Sequence, residues 1–158
     1  AGSGMGHVML RTPVLQASSW THRNHDMGVS GFERSVDAMT NSTIVQQFFD
    51  SYTRALLGRD SKAIAEHYAV PALIEFPEHP IAVSEASQTE QFFSGAFGQY
   101  EAVSTTHATI KVVAETGHSI WADVTWTHDA GVPSEHFIYQ LVRDSESWKI
   151  AVLTPLDT

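Results

Sequence analysis

The sequence contains no cysteine, and this absence excludes disulfide bonds, thiol nucleophiles and thiolate metal sites. Basic residues are scarce, since 9 lysines and arginines stand against 18 aspartates and glutamates and the net charge is -9. Nucleic-acid phosphates require a basic protein surface, so we expect no nucleic-acid partner. Long apolar runs are also missing: none approaches the roughly 20 residues of a transmembrane helix, so we expect no membrane partner. A cytoplasmic location is compatible with these absences and is our prediction.

The composition that remains is that of a folded protein, with 42% apolar and 17% charged residues. A chain of 158 residues predicts a single domain with a substantial core. Residues 1–4 resemble a tag remnant, and residues 5–38 show weak periodicity, with a short helix as an option over 32–39. We therefore expect residues 1–38 to form an N-terminal arm or leader and residues 39–158 to form the domain.

The segment 42–76 has the clearest periodicity. Its first part carries an apolar stripe at helical spacing, which predicts a helix ending at Gly58. Asp60 is a good N-cap for a shorter second helix through Tyr68, and Pro71 would stop that helix. Residues 73–76 are then predicted to form a strand. The stripe consists of Ile44, Phe48, Tyr52 and Leu56.

The second half of the chain predicts one more helix followed by four strands. Ser87 and Glu90 have the spacing of a capping box, and the residues after them form a strongly apolar helix face. From residue 104 onward the periodicity changes to two, with short polar turns between the apolar segments, which predicts an antiparallel meander. The predicted strands are 106–115, 119–127, 134–143 and 148–154, after a short strand over 81–83.

Three local motifs carry a resemblance to a known family: G-R-D at 58–60, E-F-P at 75–77 and W-K-I at 148–150. With the order of elements, they make residues 42–157 similar to the NTF2-like superfamily, which includes ketosteroid isomerase and the SnoaL-type cyclases. The resemblance implies an α+β cone with three main helices, in which a curved, mostly antiparallel sheet wraps around a long N-terminal helix. It also implies a homodimer through the convex face of the sheet. The predicted strand 119–127 is apolar on both sides, which favours such a second cover.

The resemblance to ketosteroid isomerase also suggests catalytic residues. Tyr52 matches the position of that family's oxyanion-stabilising tyrosine, although a core tyrosine on an apolar stripe is the alternative. Tyr139 matches the second oxyanion donor. Phe76 stands where that family has its aspartate base, and the neighbouring Glu75 would reach the pocket only through a bulge, because side chains alternate along a strand.

Asp123 is the second candidate base. If it points inward among the tryptophans, its pKa would be raised and it could exchange protons near neutral pH. If it points outward, it is a surface or interface charge. The alternation favours Ala122, Val124 and Trp126 as the inner set, and similarly places Tyr139 inside and His136 outside. The nine histidines are scattered and are expected mainly at surface and rim positions.

Together these residues predict a pocket inside the cone for a small apolar or carbonyl-bearing molecule. The function we expect is cofactor-free acid–base chemistry by an isomerase, cyclase or dehydratase, with a non-catalytic dimeric module that binds a ligand or protein as the alternative. A deep cavity containing Tyr52 and a carboxylate would favour the enzyme, whereas an interior filled by aromatic side chains would favour the module. No metal is expected, because the E-F-P-E-H segment at 75–79 is an irregular turn. The expected apolar walls are Phe48, Phe49, Phe76, Phe92, Phe97 and Trp126.

Overall fold

A computed structural model of the protein describes the backbone of residues 30–156 and the side chains of residues 41–156. The helices are α1 (Ser30–Leu57), α2 (Ser61–Glu66) and α3 (Ala86–Ala96), with a short 3-10 helix at Phe97–Tyr100. The strands are β1 (Tyr68–Phe76), β2 (His79–Val83), β3 (Thr106–Glu115), β4 (Ser119–His128), β5 (Glu135–Asp144) and β6 (Ser147–Pro155). Within this part of the chain, no helix is both long and apolar enough to cross a bilayer.

The six strands form one curved, open sheet in the order β2-β1-β6-β5-β4-β3. The four C-terminal strands are the predicted antiparallel meander, because the short turns between them return the chain directly alongside itself. The strands β1 and β6 are parallel, and all other neighbours are antiparallel. The predicted α+β architecture with a curved, mostly antiparallel sheet is confirmed.

The first helix is longer than its periodicity predicted, since α1 begins at Ser30 rather than near residue 42. The segment 30–43 contains no proline, and once the amphipathic turns have formed, each added residue contributes a further backbone hydrogen bond. The helix therefore runs through the predicted boundary at 38/39, and residues 1–29 of the predicted arm lie outside the described residues. The predicted end is confirmed, because the N–H of Gly58 donates to the carbonyl of Arg54 at 2.9 Å.

Two local predictions need correction. The strand β1 begins at Tyr68, ahead of Pro71, and not at residue 73 as predicted. Its register against β6 shifts between Tyr68 and Leu73, and such an irregular stretch of a strand accepts a proline. The start of α3 is capped by Glu85 and Gln88 rather than by Ser87 and Glu90. The amide oxygen of Gln88 accepts from the N–H of Glu85 at 2.9 Å. The α2 cap is as predicted: the Asp60 carboxylate accepts from the N–H of Ala63 at 3.1 Å.

The core lies between α1 and the face of the sheet that it covers, which we call the inner face. The predicted inner set of β4 is confirmed, because Ala122, Val124 and Trp126 are all buried. The ring of Phe49 on α1 lies 5.2 Å from the ring of Tyr139 on β5, so the helix packs directly on the centre of the sheet. The opposite surface, which we call the outer face, carries the alternate residues of the same strands.

Candidate functional site

A cavity of about 390 Å³ opens between the inner face of the sheet and the segment formed by α3 and the 3-10 helix. Its walls are mainly aromatic, and four of the six predicted wall residues line it. The cavity thus has the size and lining of a small-molecule site. Its aromatic lining is Tyr52, Phe76, Phe92, Phe93, Phe97, Tyr100, Trp126, Phe137 and Tyr139, and the histidines are His79 and His128.

A chain of polar side chains crosses one wall of this cavity. The hydroxyl of Tyr100 donates a short hydrogen bond to Oε1 of Glu135. The other carboxyl oxygen, Oε2, lies 3.0 Å from Nε2 of His128. The second ring nitrogen of His128, Nδ1, lies 2.7 Å from the hydroxyl of Thr106. Four side chains from four different elements therefore form one hydrogen-bonded chain, in which Tyr100 and His128 both contact the Glu135 carboxyl group.

The carboxylate determines one proton of this chain. A carboxylate only accepts, so Nε2 of His128 bears a hydrogen and donates it to Glu135. The side chain of His128 is only 8% exposed, whereas that of Glu135 is 30% exposed, so the carboxylate is the member that solvent or a ligand can reach. Burial, followed by the hydrogen bond and charge of Glu135, raises the pKa of Tyr100, which keeps this phenol a neutral donor. Glu135 is thus a fixed carboxylate at the wall of an aromatic cavity, able to accept a proton.

Strand alternation explains why these residues meet. On β4, His128 continues the inward-facing series after Val124 and Trp126, and on β5, Glu135 begins the series that includes Tyr139. The antiparallel pairing sets Trp126 opposite Glu135, and the pairing with β3 sets Thr106 opposite His128. The sequence already indicated both residues. Extending the inward-facing alternation of β4 by one step beyond Trp126 gives His128, and extending that of β5 back towards the 129–133 turn gives Glu135.

Three buried phenols lie deeper in the core beside the cavity. The hydroxyls of Tyr52 and Tyr68 are 2.7 Å apart, and the hydroxyl of Tyr139 accepts from the indole N–H of Trp126 at 2.9 Å. Burial raises the pKa of Tyr52, Tyr68 and Tyr139 well above the usual value, so all three remain protonated. Tyr52 is therefore a core tyrosine that also lines the cavity, and its role as an oxyanion donor stays a prediction.

The fold and the sequence agree on the family. A family model described as NTF2-like protein (DUF6841) matches residues 40–158. The chain belongs to this NTF2-like family. No curated protein shows significant similarity to the sequence.

Solved structures share the NTF2-like fold at low sequence identity. A proposed scytalone dehydratase from Novosphingobium aromaticivorans is 10% identical, with a TM-score of 0.63 over 78% of this chain and 88% of that one. An NTF2-like protein of unknown function from Shewanella oneidensis is 12% identical, with a TM-score of 0.62 over 74% and 99%. The protein Aln2 from a Streptomyces species is 20% identical, with a TM-score of 0.55 over 74% and 90%. At these identities the likeness establishes the fold alone.

Four of the predicted site residues lie outside the NTF2-like cavity. Phe49 is fully buried in the core, and Phe48 packs edge-on against it, with 5.3 Å between the rings, instead of forming the cavity wall. Glu75 is exposed, because its neighbours Ile74 and Phe76 take the inward positions of β1 and no bulge reverses them. Asp123 lies on the outer face, where its carboxylate is 2.6 Å from Nε2 of His136.

Arg59 is a further residue that sequence reasoning missed. Its guanidinium donates to the carbonyls of Tyr100 at 2.7 Å and Val103 at 3.0 Å, and its side chain also lines the cavity. It thereby fixes the backbone that carries the Tyr100 phenol. Arg59 lies in the turn between α1 and α2 and has a positive φ of 48°. No pattern in the sequence indicates which carbonyls its guanidinium would contact. Among the residues that the structure describes, no cluster of three or more metal-ligating side chains is present.

Proposed function

We propose that this NTF2-like protein binds a small, uncharged, largely apolar molecule in its cavity and catalyses a cofactor-free proton transfer on it. The single observation that supports this function is the Glu135 carboxylate, held by Tyr100 and His128 at the wall of an aromatic cavity. The two bases that the sequence suggested, Glu75 and Asp123, lie outside the cavity, and phenols alone can polarise a carbonyl without moving a proton from carbon. Glu135 supplies the missing base.

The proposed roles follow from the chemistry of each group. Glu135 removes a proton from a substrate carbon whose neighbouring carbon bears a carbonyl or a hydroxyl group. His128, together with Thr106, keeps the carboxylate oriented. Tyr52 is a neutral phenol on the cavity wall whose hydroxyl can accept from Tyr68, and it donates to the oxygen on which negative charge develops. Isomerisation, dehydration and cyclisation all use this pair of steps, and the substrate decides among them.

The charge and size of the cavity limit the substrate. The guanidinium of Arg59 is already bound to backbone carbonyls, Glu135 contributes a negative charge, and the chain has a net charge of -9. We therefore infer that anions are disfavoured and that a neutral, flat molecule with one polar end binds best. The neighbour described as a proposed dehydratase is consistent with this choice at the level of fold.

Deuterium exchange into 1-tetralone, a neutral bicyclic aryl ketone, tests the proposal directly. The protein in D₂O should accelerate exchange at the carbon next to the carbonyl, followed by NMR, and Glu135→Gln should lose this acceleration. Asp123→Asn is the matched control, because it changes the same functional group on the outer face. Saturable binding of 1-tetralone without exchange in the unmodified protein would contradict the catalytic reading and favour the ligand-binding module.

We propose in addition that two copies associate through the outer face. Three large apolar side chains on adjacent strands, Trp121, Ile138 and Val142, are half-buried there without a covering element among the residues that the structure describes. A second sheet would cover them, as apolar sheet faces require. The proposed homodimer leaves the cavity, on the inner face, open in each copy.

A further inference from the structure

A serine and a histidine form a second reactive pair outside the cavity. The hydroxyl of Ser51, on α1, lies 2.9 Å from Nε2 of His67, which follows α2. The other ring nitrogen of His67, Nδ1, lies 2.8 Å from the backbone carbonyl of Ala63. Neither Ser51 nor His67 lines the cavity, so this pair takes no part in the function proposed above.

The partner of Nδ1 determines the direction of both hydrogen bonds. A carbonyl oxygen only accepts, so the proton of the neutral ring lies on Nδ1 and Nε2 carries the lone pair. The hydroxyl of Ser51 must then donate to Nε2. Burial lowers the pKa of His67 and outweighs the hydrogen bond to Ala63, which raises it, so the ring is neutral at neutral pH. A nucleophile, a base within hydrogen-bond reach and a third group that orients the base are the components of an activated serine.

Packing holds this arrangement in place. The imidazole of His67 lies edge-on to Phe48 at 5.4 Å between ring centres and 5.6 Å from Tyr52, so the ring has little freedom to turn. Ser51 and His67 are both half-buried, so the pair lies at the edge of the core and not within it. Arg54 lies one helical turn after Ser51 on the same face of α1, close enough for its positive charge to act on His67.

We propose that Ser51 is a base-activated nucleophile that accepts an acyl group from small activated acyl compounds, the class of acyl phosphates and aryl esters. The Ser51 oxygen attacks the acyl carbon while its proton passes to Nε2 of His67. The bond from the acyl carbon to the leaving oxygen then breaks, and the phosphate or phenolate leaves with that bond's electron pair. The product is an ester on Ser51, and no oxidant or cofactor is consumed.

Labelling with p-nitrophenyl acetate at neutral pH, followed by acid quenching, tryptic digestion and mass spectrometry, tests this site. We expect acetylation of Ser51 to exceed that of the exposed Ser87 in the same digest by about tenfold or more, the scale of general-base assistance. The substitution His67→Gln should reduce the labelling of Ser51 to the level of Ser87. The substitution Ser51→Ala should remove the rapid initial release of p-nitrophenolate that accompanies acetylation of Ser51, and Asp123→Asn, on the outer face, should leave that release unchanged.

The comparison of Ser51 with Ser87 uses the unmodified chain, so it decides the matter even if a His67 variant does not fold. Equal acetylation of the two serines would overturn the proposal. Undiminished labelling of Ser51 in a His67→Gln variant with native circular dichroism would overturn it as well, because the hydroxyl would then react without its base.

Discussion

The strands β4 and β5 carry two histidine–carboxylate pairs of similar composition on opposite faces of one sheet. On the inner face, His128 and Glu135 are joined by Tyr100 and Thr106 at the wall of a cavity. On the outer face, His136 and Asp123 lie 2.6 Å apart, and no third side chain joins them among the residues that the structure describes. The comparison shows that a histidine–carboxylate contact alone does not indicate a site. Additional partners, burial of the histidine and an adjacent cavity distinguish the inner pair.

The largest expected difference between the pairs is catalytic. Glu135→Gln should lower the rate of deuterium exchange into 1-tetralone by about 10²–10⁴-fold, because the amide cannot accept the proton. Asp123→Asn should change that rate by less than about twofold, since effects of distant surface substitutions are small. NMR under identical conditions measures both. Equal losses in the two variants would remove the distinction between inner and outer faces.

A second difference concerns stability. Leu141 is fully buried on the inner face, and Leu141→Ala should lower the free energy of unfolding by about 2–5 kcal/mol through the cavity it leaves. The next residue, Val142, faces outward and is half-buried, so Val142→Ala should cost less than about 1 kcal/mol. Urea denaturation of both variants measures these values. Similar costs at the two positions would show that the outer face is as tightly packed as the core.

The four tyrosines, residues 52, 68, 100 and 139, all have a raised pKa, and each lies on the inner side of the sheet. Their protonated form is favoured in the folded state, so the stability they contribute is fully present below the unfolded pKa of about 10. That stability declines as the pH rises further. We expect absorbance at 295 nm, which reports phenolate, to rise only with unfolding. Phenolate formation in a folded chain near pH 10 would contradict the buried placement.

The smallest expected effect is on association. Ile138 pairs with Asp123 across the outer face, so Ile138→Glu places a second carboxylate beside the first. In the proposed homodimer this change should weaken self-association by about tenfold or more, measured by analytical ultracentrifugation. Thr127→Glu, at an exposed position near the end of β4, is the control. A monomeric unmodified protein at high concentration would refute the proposed dimer.

The sequence predicted the fold well because its signals were local. The meander from β3 to β6 follows from alternation and polar turns, and the end of α1 follows from Gly58. The start of α1 and the cap of α3 were less accurate, since several neighbouring residues satisfy the same capping rules. The cytoplasmic location and the homodimer remain predictions.

The candidate site was predicted only in part. The wall residues Phe76 and Trp126 follow from their strand positions. The candidate bases were wrong, because Glu75, proposed from the related enzyme, and Asp123, proposed from its tryptophan neighbours, both face away from the cavity. Glu135 and His128 flank a turn, and their meeting depends on register, which pattern reasoning fixes poorly. The hydrogen bonds of Tyr100 and Arg59 depend on three-dimensional placement of a loop, for which no periodic signal exists.

The position of β6 has a consequence for how the molecule acquires its shape. Although it is the last of the described strands in sequence, it lies between β1 and β5 and joins the β1–β2 hairpin to the meander. Until β6 is inserted, both halves expose open strand edges, which are the sites where unwanted strand pairing begins. Assembly of the sheet therefore awaits its final segment, and a shortened chain without β6 should precipitate rather than fold around a smaller core.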